Sequence, residues 1–486
     1  MSRQRFAPFA ALERWYVRLF DGVPVRWRRP AKGLFWAAIG LLLVGLLGVW
    51  QWSALAIAAV LLIVFVPRYS RVKIGGRDVG RFIFPALILA LAIAYPFYYG
   101  NQAAGLPQLP IFGPFPQLST MVGMAVFAIM ALGLNFVVGY AGLLDLGYVA
   151  FYAMGAYMAG WFASSQFAKQ NLRIGAIGVA PGLTGFHFSI WLVLPMAGIA
   201  TALIGIVIGL PTLRLRGDYL AIVTLGFGEI LPQIFTHGDS LFNTGFNLTN
   251  GSGGISGIDP PGFGNWIGHH LHLPANYLTL GANSDRAFFW TALVLVMITV
   301  FVSARLRSSR LGRAWIAIRE DEIAAAAMGI PLMRTKTWAY ATGAFFGGVA
   351  GAYYAVYNTA AFPDQFQFTI SVFILVMVIL GGMGNIWGVI FGACFLEYLN
   401  LEGLNNIGAW LNNHFGPGGS DFALWHKTLD VPLYEFGIFG IILVVVMLFR
   451  PEGLIPSHRQ AQELHEGVHD EPLYDVEHDA AIADPA

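Results

Sequence analysis

Hydrophobic residues in this chain come in long uninterrupted runs, and polar residues are confined to the gaps between them. The run 33–66 contains no Asp, Glu, Lys or Arg at all. A helix needs about 20 mainly apolar residues to cross the hydrocarbon of a bilayer. A charge at the centre of such a helix costs about 2.5–3.5 kcal/mol. The pattern therefore predicts spanning helices at 33–50, 52–66, 82–99, 118–138, 143–162, 190–210, 219–235, 288–302, 337–357, 370–380, 386–396 and 436–448. The fold class expected is an all-α polytopic membrane protein with ten to twelve crossings. Two features leave the count open: 33–66 reads as a tight hairpin or as one tilted helix, and the break Gly381-Gly382-Met383-Gly384-Asn385 reads as a kink or as a true turn.

Basic residues orient the helices. Segments 1–32, 67–81, 213–218 and 303–336 hold 22 of the 28 Lys and Arg residues, so the positive-inside rule puts these four in the cytosol. The stretch Thr236 to Asp285 has no Lys or Arg and is expected outside. Parity then favours the hairpin for 33–66. The C-terminus comes to lie inside if the Gly381–Asn385 break separates two crossings, which gives twelve.

This organises the chain as a basic N-terminal segment (1–32), N-terminal transmembrane helices (33–117), a core (118–456) with an external loop (236–286) and a cytosolic segment (303–336), and a polar tail (457–486). The N-terminal segment mixes Phe6, Trp15, Phe20 and Trp27 with arginines. It reads as an interfacial helix or as a disordered basic leader, and it is too charged for a cleaved signal peptide. The acidic, His-containing tail reads as disordered.

Composition narrows the function classes. Hydrophobic residues make up 57% of the chain and charged residues 11%, with a net charge of +1, which excludes a nucleic-acid footprint. The single cysteine, Cys394, excludes an intrachain disulfide and reads as a small buried hydrophobe. No metal site is expected, since the histidines show no recurring ligand spacing.

Glycine spacing predicts close helix packing. Gly343, Gly347 and Gly351, and again Gly384, Gly388 and Gly392, repeat at i, i+4, i+8. Each triplet places a strip of hydrogen-only positions on one helix face, where a neighbouring backbone can approach. In the segment 303–336, residues 313–328 have helix-forming composition, with charges at Arg313, Arg319, Glu320, Asp321 and Glu322; Gly329 and Pro331 end the helix. A short charged helix protruding from a membrane bundle reads as a docking element, or more plainly as a solvated loop.

The same segment resembles the cytosolic coupling motif of bacterial ABC importer permeases, in which Glu-Ala-Ala is followed by a glycine. Four blocks resemble, more narrowly, the branched-chain amino-acid importer permeases of the LivM type. These are GLNFVVGYAGLLDLGYVAFYAMGAY (133–157), LRLRGDYLAIVTLGFGEI (213–230), GRAWIAIREDEIAAAAMGI (312–330) and VILGGMGNIWGVIFGA (378–393). The ending FRPEGLIP (449–456) is similar too. The blocks lie in order over about two thirds of the chain. The resemblance implies a type II-like ABC importer permease bundle in the bacterial inner membrane, with both termini in the cytosol. The partners it implies are a second permease subunit, two ATP-binding cassette subunits and an external substrate-binding protein. ATP and Mg²⁺ would sit on the ATPases. The chain itself has no G-x-x-x-x-G-K-[ST] loop, so no cofactor of its own is expected, nor any enzyme activity. By the resemblance, Gly312, Arg313, Arg319, Glu320, Asp321, Glu322, Ala325 and Gly329 form the ATPase-coupling site.

Polar residues inside apolar runs are candidates for a translocation path: Asn135, Tyr140, Asp145, Tyr148, Glu229 and Asn385. Glu397 also lies within a span, and Asp218 reads as a cap beside Arg214 and Arg216. Two other classes are weighed. An ion-coupled secondary transporter or channel needs a cluster of acidic residues in one span or an internal repeat, and neither is evident. A membrane enzyme needs a nucleophile–base set; the His269-His270-Leu271-His272 run stands in the external loop without a neighbouring Cys or carboxylate spacing.

Overall fold

A computed structural model describes residues 116–175, 183–215, 218–240, 247–261, 285–415, 429–450 and 453–455, with short pieces at 73–74, 77–78, 92–93 and 95–96. The chain divides into two compact units, Met1–Pro110 and Ile111–Ala486. In the first, two-residue strands β1 (Lys73–Ile74) and β2 (Arg77–Asp78) form an antiparallel pair. The expected spans 33–50, 52–66 and most of 82–99, the basic N-terminal segment, the histidine run 269–272 and the polar tail lie outside the described residues. The side chain of Asp218 does too.

The second unit is a helical bundle around α1 (Leu118–Leu134), which continues without interruption as a π-helix over Asn135–Tyr140. No charge occurs in this stretch, so all of its surface can be covered by other helices. α5 (Asp285–Ser308), α8 (Leu332–Tyr357), α9 (Phe368–Gly381) and α10 (Ile386–Tyr398) pack on it. It is mostly buried, whereas α12 (Glu435–Phe449) lies largely exposed at the periphery. The first turn of α1 is capped from far along the chain: a carboxylate oxygen of Glu402 accepts from the Gln117 amide at 2.8 Å and from the Thr120 hydroxyl. An anion there meets both the unpaired N–H groups and the positive end of the helix dipole.

Small residues set the next layer. α3 (Ile190–Thr212) runs antiparallel to α8, with Thr201 against Gly348, Gly205 against Ala344 and Gly209 against Tyr340. The glycine strip of α8 faces elsewhere: Gly343 meets Gly133 and Val137 of α1, while Gly347 and Gly351 meet α2 (Val149–Phe162). A Cβ at Gly351 would sit 1.9 Å from the Tyr152 carbonyl oxygen, so the backbones are as close as hydrogen allows.

The expected span 143–162 is not one helix. Residues 141–148 form a non-helical stretch, Gly142 takes a φ of +69°, and α2 begins only at Val149. Irregular backbone at membrane depth survives only where the surrounding protein satisfies it. Here the Leu146 amide donates to Thr224 Oγ1 at 3.0 Å, the Gly147 amide to Asp145 Oδ1 at 2.9 Å and the Val149 amide to Ser371 Oγ at 2.8 Å. Thr224 belongs to α4 (Asp218–Thr236).

The Gly381–Asn385 break is a turn rather than a kink. α9 and α10 fold back on one another, with Gly388 beside Gly381 and Gly392 beside Met377. Gly384 is therefore not part of a helical strip with Gly388 and Gly392. It lies in the turn with a φ of +79°, and only the latter two face α9 from within α10. α10 continues through a π-helical segment, Leu399–Gly403, into α11 (Leu404–Phe415).

Among the described residues six helices are long and apolar enough to cross a membrane. At one end of the bundle three short strands, β3 (Ala163–Ser164), β4 (Asn171–Ile174) and β5 (Gly185–Phe188), form a sheet in the order β3-β5-β4; nearby, β6 (Ile255–Ser256) pairs with β7 (Ala360–Ala361). The other end carries most of the basic residues and two short helices.

Candidate functional site

Those two helices, α6 (Arg310–Glu320) and α7 (Glu322–Ala327), replace the single helix expected over 313–328. The break is at Asp321, whose extended backbone (φ −153°) stops α6. Its side chain then starts α7, accepting from the amides of Ile323 at 2.8 Å and Ala324 at 3.0 Å. Ser309 caps α6 in the same way, through the Gly312 amide at 3.2 Å. Gly312 itself packs on the Leu306 and Arg307 carbonyls. α7 closes with the Gly329 amide on Ala326 O and the Ile330 amide on Ala325 O, both 3.0 Å, and with Gly329 at a φ of +84°. This 6→1 and 5→2 pair satisfies the last carbonyls and needs a left-handed residue at Gly329.

Three contacts bolt this elbow to the bundle. The Trp315 indole, fully buried, donates to Thr335 O on α8 at 2.8 Å and meets the Phe136 ring edge-on at 6.0 Å. Phe136 in turn stacks on Phe346 of α8. The Arg319 guanidinium donates to Gly139 O in the π-helical end of α1. Lys336, 4% exposed, pairs with Glu322 at 2.9 Å. Ala325 is buried, whereas Ile323 (75%) and Met328 (84%) stand out with Ala324, Ala326 and Ala327. Arg313, Glu320 and Asp321 are exposed, and Arg313 donates to Ser308 O at 2.9 Å. The outer surface of the elbow is thus apolar with a charged rim, and its inner surface is fastened to α1 and α8.

Several path candidates cluster just beneath it. Asn135 Oδ1 accepts from the Gly384 amide at 2.8 Å, joining the end of α1 to the α9–α10 turn. Tyr140 is buried against Phe136. Asn385 caps α10 through the Trp387 amide at 3.3 Å and donates to Ile455 O at 2.8 Å. Asn135 and Asn385 both brace backbone. Tyr148 does the same, its hydroxyl donating to Gly343 O at 2.9 Å. Asp145 is buried in the non-helical stretch 141–148, beside Tyr340 and Thr224. Glu229 is separate from all of these, exposed on the outer face of α4. Glu397 is buried in α10 against Gly123 of α1, and Cys394 is a partly covered free thiol.

At the opposite end of the bundle, His187 of β5 and Asp259 of the loop are buried and paired, Nδ1 to Oδ2 at 2.6 Å. Burial pushes the Asp259 carboxyl above its usual range, against the His187 hydrogen bond and charge and the Arg173 charge, which pull it down. This pair had no signature in the sequence, since 72 residues separate its members. Trp315 had a local signal: it stands one turn before Arg319, on the same helix face. Lys336 gave no sign of its burial.

The family described as "branched-chain amino acid transport system / permease component" matches residues 118–447. The high-affinity branched-chain amino acid transport system permease protein LivM of Escherichia coli K12 is 34% identical over 416 residues, covering 83% of this chain and 81% of that protein. A probable branched-chain amino acid transport permease protein LivM of Methanocaldococcus jannaschii is 25% identical over 69% of this chain. The high-affinity branched-chain amino acid transport system permease protein LivH of Escherichia coli K12 is 25% identical over 56% of this chain and 80% of its own length. No solved structure matches significantly. With six apolar spans among its described residues, this chain is a multi-pass membrane protein that belongs to the permease-component family of branched-chain amino acid transport systems.

Proposed function

We propose that the chain is the lipid-embedded, non-hydrolysing half of an ATP-driven importer for branched-chain amino acids in the bacterial inner membrane. It forms half of a path with a second permease subunit. Two ATP-binding cassette subunits hold the ATP and Mg²⁺ and dock on the α6–α7 elbow. A binding protein delivers substrate at the His187–Asp259 end. The basic α6–α7 end lies in the cytosol, with both termini, because Lys and Arg are retained on that side of the membrane. The observation that carries the reading is the elbow itself: an exposed apolar knob at Ile323 and Met328, rigidly tied through Trp315 and Arg319 to α1 and α8. A push on the knob is transmitted to the two innermost helices, because close-packed elements shift as bodies rather than deform.

The test is reconstitution of the full chain with its partners in vesicles. Met328→Asp and Ile323→Asp place charges on surface positions, so the subunit should still assemble its own fold. Stimulated ATP hydrolysis and ATP-driven leucine uptake should both collapse. If both persist, the ATPases do not dock here. Leucine uptake by this chain alone, without ATP, would reassign it as a secondary transporter.

A further inference from the structure

The exposed faces of the spans differ in kind. α3 presents Ile199, Leu203 and Val207 to the outside, and α12 presents Ile441 and Val444. These apolar faces suit lipid, whereas α4 is the least apolar of the six spans. Its exposed face reads Tyr219, Ile222, Glu229, Ile230 and Gln233. A Cβ on Gly226 of the same helix would meet nothing within 4 Å. The opposite face, with Thr224 and Gly228, is seated on the non-helical stretch at Leu146 and Gly147. Glu229 stands near the middle of the helix, about 15 Å along from Tyr219. Among the described residues it is the one exposed ionisable group away from the ends of any of the six spans, and its carboxylate has no hydrogen-bond or ion-pair partner there. A carboxylate cannot rest against hydrocarbon at that depth, so this face of α4 meets water, a cation or a polar partner surface rather than lipid.

We infer that the α4 face lines the translocation path and that the Glu229 carboxylate receives the α-ammonium of an aliphatic amino acid, with Ile222 and Ile230 beside its side chain. This rests on the importer function proposed above and names the group in the path that reads the substrate's positive charge. A zwitterion leaving water needs an acceptor for its ammonium, and an anion on a flexible stem, flanked by open space at Gly226, supplies one without trapping the substrate in a closed cavity. The purely apolar faces of α3 and α12 offer nothing comparable.

The test uses the full importer in proteoliposomes with radiolabelled leucine. Glu229→Gln should lower ATP-driven uptake by about ten-fold while ATP hydrolysis stimulated by the binding protein persists. Glu229→Asp should restore a substantial part of the uptake, which a purely structural role would not predict. In a Cys394→Ala background, Glu229→Cys should react with a charged, membrane-impermeant thiol reagent, and leucine should slow the reaction; Leu203→Cys should stay unlabelled. Uptake by Glu229→Gln within two-fold of the unmutated importer overturns the inference. So does labelling of Glu229→Cys no faster than Leu203→Cys, a result that stands even if the Gln variant assembles poorly. An unmutated assembly that shows no ATP-driven leucine uptake fails at the importer function itself, and this inference falls with it.

Discussion

Lys336 and Glu322 hold unequal positions in their ion pair. Lys336 keeps only 5% of its side chain in solvent, Glu322 31%. Removing the carboxylate strands a buried ammonium, whereas removing the ammonium leaves a carboxylate that water can still reach. Breaking a fully buried pair costs about 3–5 kcal/mol, and exposure of one partner lowers that. Glu322→Gln is therefore expected to destabilise by about 2 kcal/mol, and Lys336→Met by clearly less, as read from thermal unfolding of the purified subunit. The order of the two variants is the decisive result. Gly329 is the second position where one residue controls local structure. Its φ of +84° costs a β-branched residue about 1–2 kcal/mol, although there is open space around it. Gly329→Val should abolish ATPase stimulation while leaving the unfolding midpoint of the bundle nearly unchanged, because the strain falls on an exposed turn rather than on the core.

α7 is too short to persist on its own, since a six-residue helix lies far below the length at which isolated helices are stable. It exists because Asp321 caps its start and Gly329 closes its end. Asp321→Ala should remove about 1 kcal/mol of that local stability, and hydrogen exchange should show it as faster exchange at the Ile323 and Ala324 amides with little change in α6. Packing between helices responds differently. In the α2–α8 contact, a methyl at Gly351 would overlap the Tyr152 carbonyl, so Gly351→Ala forces the two helices apart. Overpacking of this kind costs about 1–3 kcal/mol and should lower the unfolding midpoint, whereas an alanine at Gly226 should be silent there. The two substitutions are chemically identical, and only the distance to a neighbouring backbone separates them.

Over the whole molecule the two ends of the bundle have opposite characters, one basic with the α6–α7 elbow, the other built of short strands and the His187–Asp259 pair. A cysteine at Ile323 should react with impermeant reagents only in inverted vesicles, and one at Ser256 only in right-side-out ones; the reverse pattern would invert the orientation. Much of this was legible along the chain. Bilayer hydrocarbon forces each exposed crossing to be an apolar helix with its own hydrogen bonds, so runs such as 190–210 and 219–235 had to become α3 and α4 within a residue or two. The same holds for Gly329 as a helix end, because the terminating chemistry is local. The break at 141–148 was not legible, since apolar composition looks alike in a helix and in a buried loop, and the groups that satisfy this one, Thr224 and Ser371, come from distant parts of the chain. Nor was the inward turn of Arg319 toward Gly139, or the contrast between the α4 face and those of α3 and α12. Composition tells that a helix enters the membrane; whether a given side of it meets lipid, protein or water depends on which neighbours the fold sets against it.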